Sequence, residues 1–236
     1  MPGLLFKQFQ LFSPTHLSVI AGCLLAVLLL VLYLRNGHSR TFRRRDVLIF
    51  TVVFLMIEVA LVGSKIATGA WSVQYNLPLH LCDISAITIL FALYTRSRRA
   101  FELGWYWGFV GGLMAILMPN IQFVDWYFVP FFVWHLFLIA GPVYQLFTDG
   151  FTLAYPSIYR ALGTTILLGC GMFVLNGFMG SNYMFVNEKI PPFEAIGLPD
   201  FPRYLPYLVV IAGVLFHVAW GVGIALSSYR AHRVGL

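Results

Sequence analysis

The sequence predicts an all-α, polytopic integral membrane protein, a bundle of about seven transmembrane helices. Of the 236 residues, 60% are hydrophobic and only 10% are charged, whereas roughly a quarter of the residues in a soluble domain carry a charge. The mean hydropathy is +0.83. The apolar residues form seven runs, most of them close to the ~20 residues that a helix needs to cross a bilayer. A chain of this composition cannot be a soluble globular protein.

The seven runs form a single predicted domain, with spans at about 17–34, 47–62, 78–94, 103–118, 126–147, 159–178 and 204–227. The first run is interpreted as a mature helix because its arginines follow it, whereas a cleaved signal peptide carries its positive charge in front. Asp46 is predicted to cap the second helix. Pro78 is predicted to start the third, since proline is tolerated in a first helical turn.

The basic residues predict the orientation of the bundle. Eleven of the fifteen Lys and Arg residues fall in the first, third and fifth loops and the C-terminal tail, and four fall in the N-terminal segment and the other three loops. Cytoplasmic loops of membrane proteins carry the excess of Lys and Arg. The N-terminus is therefore predicted outside and the C-terminus in the cytoplasm, in a multi-pass protein of the bacterial plasma membrane.

Composition also limits the ligand classes. The net charge of +6 does not indicate a nucleic-acid partner, because the basic residues are spread over short loops and form no patch interleaved with aromatic residues. Cys23, Cys82 and Cys170 have no short Cys-x-x-Cys spacing, so neither a disulfide framework nor a metal site is predicted. No nucleotide or metal cofactor is expected. Cys23 and Cys170 are interpreted as small buried hydrophobic residues.

The most unusual stretch is 76–83, where His80, Cys82 and Asp83 lie at the entrance of the third span. Ionisable groups inside a bilayer are costly and usually line a cavity or a pathway. The predicted topology places Glu58 of the second span and His135 of the fifth in the same outer third of the membrane. The outer loops add further polar side chains at that level: Gln74, Asn76, Asn120, Gln122, Asp125, Asn182 and Tyr183. This shared depth predicts one site.

The chemistry that these groups support is acyl transfer. A neighbouring imidazole can remove the proton of a thiol and later protonate the leaving group. A carboxylate can hold such an imidazole in the required tautomer. Cys82 is the predicted nucleophile and His135 the predicted base, while Asp83, Glu58 or neither orients the histidine.

Each residue also has a purely structural interpretation. Cys82 could be a packed small residue, His135 a hydrogen-bonding group between helices, and His80 an interfacial hydrogen bonder. Glu58 has no adjacent Lys or Arg, so it is expected to be protonated or paired across the cavity, in a structural or orienting role. His217 in the seventh span is expected to join helices.

Three rival functions remain open on these residues. A hydrolase would use the same groups with water as the acyl acceptor. A proton-coupled small-molecule transporter would use Glu58, His135 and His217 as a proton path, although the chain lacks the paired broken helices and inverted repeats typical of transporters. A structural or chaperone-like membrane protein would depend on none of these residues.

Three motifs resemble those of the transmembrane protein 164 / YwaF-like family. They are Asn-Leu-Pro-Leu-His-Leu-Cys-Asp-Ile-Ser at 76–85, the apolar segment around His135, and Gly-Ser-Asn-Tyr-Met-Phe at 180–185 followed by Lys-Ile-Pro-Pro at 189–192. The resemblance implies a membrane acyltransferase that is related to the androgen-induced family of lipid hydrolases and acts on phospholipids or lysophospholipids. It implies Cys82 as nucleophile, His135 as base, and Asn182 and Tyr183 as cavity residues.

Overall fold

The computed structural model describes residues 7–35, 39–121 and 123–234. Within them, seven apolar helices form the bundle. They are α1 (Pro14–Arg35), α2 (Ser39–Ala67), α3 (Leu81–Thr95), α4 (Arg98–Leu117), α5 (Phe128–Thr148), α6 (Ser157–Met179) and α7 (Tyr204–Val234). The predicted all-α, multi-pass membrane fold is confirmed. The side of the membrane on which each terminus lies stays a prediction.

Six of these helices are long and apolar enough to cross a membrane, and α3, with 15 residues, is shorter than the rest. The prediction that Pro78 opens α3 is wrong, because the backbone is extended at His80 and the helix begins at Leu81. The predicted capping role of Asp46 is also wrong. Helix α2 begins at Ser39, so Asp46 lies inside it, where its carboxylate accepts a hydrogen bond from the Tyr144 hydroxyl at 3.2 Å.

The remaining elements are short. Two-residue strands pair antiparallel, Lys7–Gln8 with Phe123–Val124. A helix at Val73–Asn76 precedes α3, and a 3-10 turn at Tyr183–Phe185 and a helix at Pro191–Ala195 lie between α6 and α7. Helix α4 contains a π-helical turn at Trp105–Phe109.

Glycines bring α3, α4 and α5 together around one buried isoleucine. Ile89 of α3 is fully buried. A Cβ added to Gly104 would lie 2.9 Å from a side-chain carbon of Ile89, and one added to Gly141 would lie 2.5 Å from another. A Cβ on Gly108 would lie 2.6 Å from the carbonyl oxygen of Leu138. Small residues allow membrane helices to approach this closely. Cys82 precedes Ile89 by two helical turns, so this packing also directs Cys82 toward α4 and α5.

One end of the bundle, here called the arginine end, contains ion pairs between arginines and buried carboxylates. Arg43 of α2 donates to both carboxylate oxygens of Asp149, at 2.8 and 2.9 Å, and to the carbonyl oxygen of Leu93. Arg160 of α6 pairs with Glu102 of α4 at 2.7 Å. The arginines of this end are Arg43, Arg96, Arg98, Arg160 and Arg230. The basic loops therefore meet at one end, as alternating helices require.

The opposite end, here called the site end, contains Cys82 and the loop between α6 and α7. His16 ties α1 to this end: its Nδ1 accepts from the Phe12 N–H, and its Nε2–H donates to the Ile116 carbonyl at 2.8 Å. In the loop, Lys189 forms an ion pair with Asp200 at 2.6 Å. The Lys189 ammonium holds the pKa of the Asp200 carboxyl below its usual range.

Candidate active site

A cavity of about 1230 Å³ opens at the site end between the helices. Pockets for small molecules usually measure about 300–1,000 Å³, so this one is large. Five of the predicted site residues line it: Glu58, His80, Cys82, Asp83 and His135. The shared depth inferred from the sequence therefore corresponds to a shared cavity.

Cys82 lies in the first turn of α3, where backbone N–H groups have no helical acceptor. Its thiol is half-buried, and the backbone N–H groups of Cys82 and Asp83 belong to the same first turn. A helix N-terminus stabilises negative charge through these N–H groups and the helix dipole. An acyl oxygen that becomes negative beside Cys82 would meet the same donors, which is the arrangement of an oxyanion hole.

His135 lies two turns into α5 and is buried, with 7% of its surface exposed. Its Nδ1 lies 2.8 Å from the carbonyl oxygen of Phe131, one turn earlier. Because a carbonyl only accepts, Nδ1 carries the hydrogen and Nε2 of the neutral ring has a free lone pair. Nε2 has no hydrogen-bond partner in the described parts of the chain. His135 is therefore in the tautomer that a general base requires.

The carboxylate of Asp83 is already used near its own helix. Its Oδ2 accepts a hydrogen bond from the backbone N–H of His80 at 3.0 Å, which caps α3. His80 in turn accepts from the N–H of Met184 at 3.3 Å through Nδ1, and its ring packs against Tyr183 and Phe185. His80 thus joins α3 to the loop that follows α6, as expected of an interfacial hydrogen bonder.

Glu58 has a basic neighbour that the sequence analysis overlooked. Helix α2 continues to Ala67, past the predicted end at 62, so Lys65 stands two turns beyond Glu58 on the same face. Lys65 interacts electrostatically with Glu58, His80 and Asp83. The indole N–H of Trp134 is directed toward the Glu58 carboxylate, but it does not reach hydrogen-bond geometry. Glu58 therefore shares the cavity with a cation.

Asn182 and Tyr183 are not among the described residues that line the cavity. The fully buried Tyr183 donates its hydroxyl to the carbonyl of Val73 at 2.5 Å and accepts from the N–H of Leu77 at 2.9 Å. Asn182 accepts from the N–H groups of Asn187 and Glu188. Both residues shape the two loops that carry His80 and the cavity wall.

The other polar residues expected at this level divide into two groups. Asn76 and Asn120 line the cavity, while Gln74 and Asp125 are not among its lining residues. Gln122 lies outside the described residues. His217 is exposed, away from the cavity lining, and its Nε2 lies 3.3 Å from the hydroxyl of Tyr155.

Tyr127 is a cavity residue that the sequence analysis missed. It lines the cavity and lies within electrostatic range of Cys82, Asp83 and Glu58. Its hydroxyl makes no hydrogen bond to any described residue. Tyr127 is the residue before α5. The chain has 12 tyrosines, and the only sequence signal that distinguishes Tyr127 is its spacing of two helical turns from His135.

The arrangement offers a thiol beside backbone N–H donors and a histidine with a free Nε2, in a cavity that is otherwise mostly apolar. Within residues 7–35, 39–121 and 123–234, no three His, Cys, Asp or Glu side chains converge as metal ligands. The groups present are those of nucleophilic and general-base chemistry.

A model of the TMEM164 family matches residues 11–223, most of the chain. The chain belongs to the TMEM164 family. This match confirms the transmembrane protein 164 part of the resemblance drawn from the three motifs. Membership and the six long apolar helices together identify a multi-pass integral membrane protein. No curated protein and no solved structure matches this TMEM164 family member significantly.

Proposed function

We propose that this TMEM164 family member is a Cys/His lipid acyltransferase that moves a fatty acyl group between phospholipid and lysophospholipid through a thioester at Cys82. The observation that carries the proposal is that the thiol of Cys82, at a helix N-terminus, and His135, with a free Nε2, line one large cavity inside an apolar bundle. A bilayer location makes a lipid ester the available substrate.

The first half of the reaction forms the thioester. His135 Nε2 takes the proton of the Cys82 thiol, and the thiolate attacks the ester carbonyl of a phospholipid. The backbone N–H groups of the first turn of α3, at Cys82 and Asp83, stabilise the negative oxygen of the tetrahedral intermediate. The carbon–oxygen bond then breaks, and the leaving lysophospholipid oxygen takes the proton from His135.

The second half restores the thiol. The hydroxyl of an acceptor lysophospholipid gives its proton to His135 Nε2 and attacks the thioester carbonyl. The carbon–sulfur bond breaks, and the proton returns from His135 to the Cys82 sulfur. The two half-reactions as written require no electron transfer and no cofactor.

Covalent capture tests the proposal. Purified wild type and Cys82→Ala are incubated briefly with phosphatidylcholine and measured by intact-protein mass spectrometry. We expect an acyl-sized mass increase on wild type that is absent in Cys82→Ala. Cys170→Ala, which removes another thiol that lines the cavity, should keep the adduct. Full acyl transfer to lysophospholipid by Cys82→Ala would overturn the mechanism.

The hydrolase alternative uses the same thioester with water as acceptor, and product analysis with and without lysophospholipid separates the two. The transporter alternative loses part of its basis, because His217 lies away from the cavity that Glu58 and His135 line.

A YwaF-like relationship and a bacterial plasma membrane location belong to this proposal. They rest on the motif resemblance.

A further inference from the structure

The cavity is polar at one end only. Glu58, Lys65 and Asp83 lie with Cys82 at the site end, and beyond them the lining becomes apolar where α6 and α7 form the far wall. We call this second part the apolar arm. It is defined by six residues: Leu162, Ile166, Gly169 and Phe173 of α6, and Leu208 and Ala212 of α7.

Side chains of α4, α6 and α7 meet near the Leu162 end of the arm. The indole N–H of Trp107 donates to the hydroxyl of Thr165 at 2.7 Å. A Cβ on Gly213 of α7 would lie 3.8 Å from a methyl carbon of Leu162. From Phe173 to Leu162 the helix rises about 16 Å at ~1.5 Å per residue. This is close to half of the ~30 Å hydrocarbon core of a bilayer, the length occupied by the chains of one leaflet.

Two glycines border the empty space. Gly111 of α4 and Gly169 of α6 both line the cavity. A Cβ on Gly111 would meet no atom within 4 Å, and a Cβ on Gly169 would meet only Val186, at 3.9 Å. Gly104 and Gly108, by contrast, are required by close helix packing. Any side chain at Gly111 or Gly169 would therefore project into the cavity without displacing a neighbouring helix.

We propose that the apolar arm holds the fatty acyl chain whose carbonyl carbon is presented to Cys82, and that Gly111 and Gly169 set the longest chain that fits. This inference rests on the acyl transfer proposed above. The arm suits a hydrocarbon chain because its lining is apolar, it is about one leaflet deep, and it continues directly from the cavity end that contains the nucleophile.

The test compares Gly111→Leu and Gly169→Leu with wild type and with Gly171→Leu. Gly171 is the matched control, since it lies two residues from Gly169, does not line the cavity and has open space around its Cβ position. The first measurement is the acyl adduct on Cys82 from phosphatidylcholines with octanoyl, dodecanoyl or stearoyl chains. The second is protection of the Cys170 thiol, which lines the cavity, from N-ethylmaleimide by the corresponding free fatty acids.

We expect wild type and Gly171→Leu to accept all three chains. Gly111→Leu and Gly169→Leu should lose at least about tenfold with the stearoyl chain, because even one extra methylene is rejected by that factor in a filled pocket. Both should keep the octanoyl chain. In Gly111→Leu, stearate should also protect Cys170 less than octanoate does.

An unchanged profile, or an equal loss for all three chains, would overturn the inference, because a length limit must spare the short chain. If no chain forms an adduct on wild type while protection of Cys170 still depends on length, the acyl transfer is wrong and the chain site stands. If the adduct forms with the same dependence on chain length in every variant, the proposed acyl transfer stands and the proposed acyl-chain site is wrong.

Discussion

The two ends of the bundle differ in how their charged side chains are paired. At the arginine end, the carboxylates of Asp149 and Glu102, only 2% and 7% exposed, are matched by arginines at 2.7–2.9 Å. At the site end, Glu58 and Asp83 face a cavity, and neither forms an ion pair with a described residue. Removing one member of a buried ion pair destabilises a fold, whereas carboxylates that line a cavity outside any ion pair mark a functional site. The arginine end should therefore control stability and the site end activity.

The largest effect is expected from His135→Gln. Glutamine keeps a polar side chain in the buried position but cannot take a proton from the thiol. We expect acyl transfer to fall by about 10²–10⁴-fold, the usual contribution of a general base, measured by product formation from phosphatidylcholine and lysophospholipid. The thermal unfolding midpoint in detergent should change little.

His217→Gln is the control, because His217 is exposed and lies away from the cavity lining. Its activity should equal that of wild type. Equal losses of activity in the two variants would contradict the assignment of activity to the site end, since they would show that any histidine in the bundle affects activity.

The next effect, on stability, is expected from Asp149→Asn. The substitution leaves the Arg43 guanidinium buried with a reduced partner, and removing one member of a buried pair costs about 3–5 kcal/mol. We expect a clearly lower thermal unfolding midpoint. The acyl-transfer rate of the folded fraction should stay near that of wild type.

Asp200→Asn provides the matched control for this substitution. The Asp200–Lys189 pair is the shorter of the two, at 2.6 Å, but the Asp200 side chain is 93% exposed. Exposed pairs contribute little because water competes for both charges, so the unfolding midpoint should hardly move. A larger shift for Asp200→Asn than for Asp149→Asn would show that distance, not burial, decides the strength of these pairs.

The smallest effect is expected from Tyr183→Phe, which removes a hydroxyl that joins the loop after α6 to the segment before α3. The carbonyl of Val73 and the N–H of Leu77 lose their partner, at a cost of about 1–3 kcal/mol. Hydrogen exchange in 73–77 should become faster. Tyr207→Phe, at an exposed position, should leave it unchanged. Exchange equal to that of wild type in Tyr183→Phe would show that other contacts hold the segment.

The sequence by itself determined the fold class, the number of apolar helices and the grouping of Cys82, His80, Asp83, Glu58 and His135 at one level. These follow from hydropathy, helix length and the alternation of basic loops, which depend on local sequence and on the bilayer. Depth follows from counting residues along a helix. The same counting carries no information about which side chains touch.

Only the tertiary structure decided the partners. His80, just before α3, accepts a hydrogen bond from the N–H of Met184, which lies 104 residues later in the chain. The place of Tyr183 behind the cavity wall depends on two loops folding against each other. Side chains far apart in sequence meet only after helices pack, and this packing depends on shape, through glycines such as Gly108 and Gly141, and not on the hydrophobic pattern.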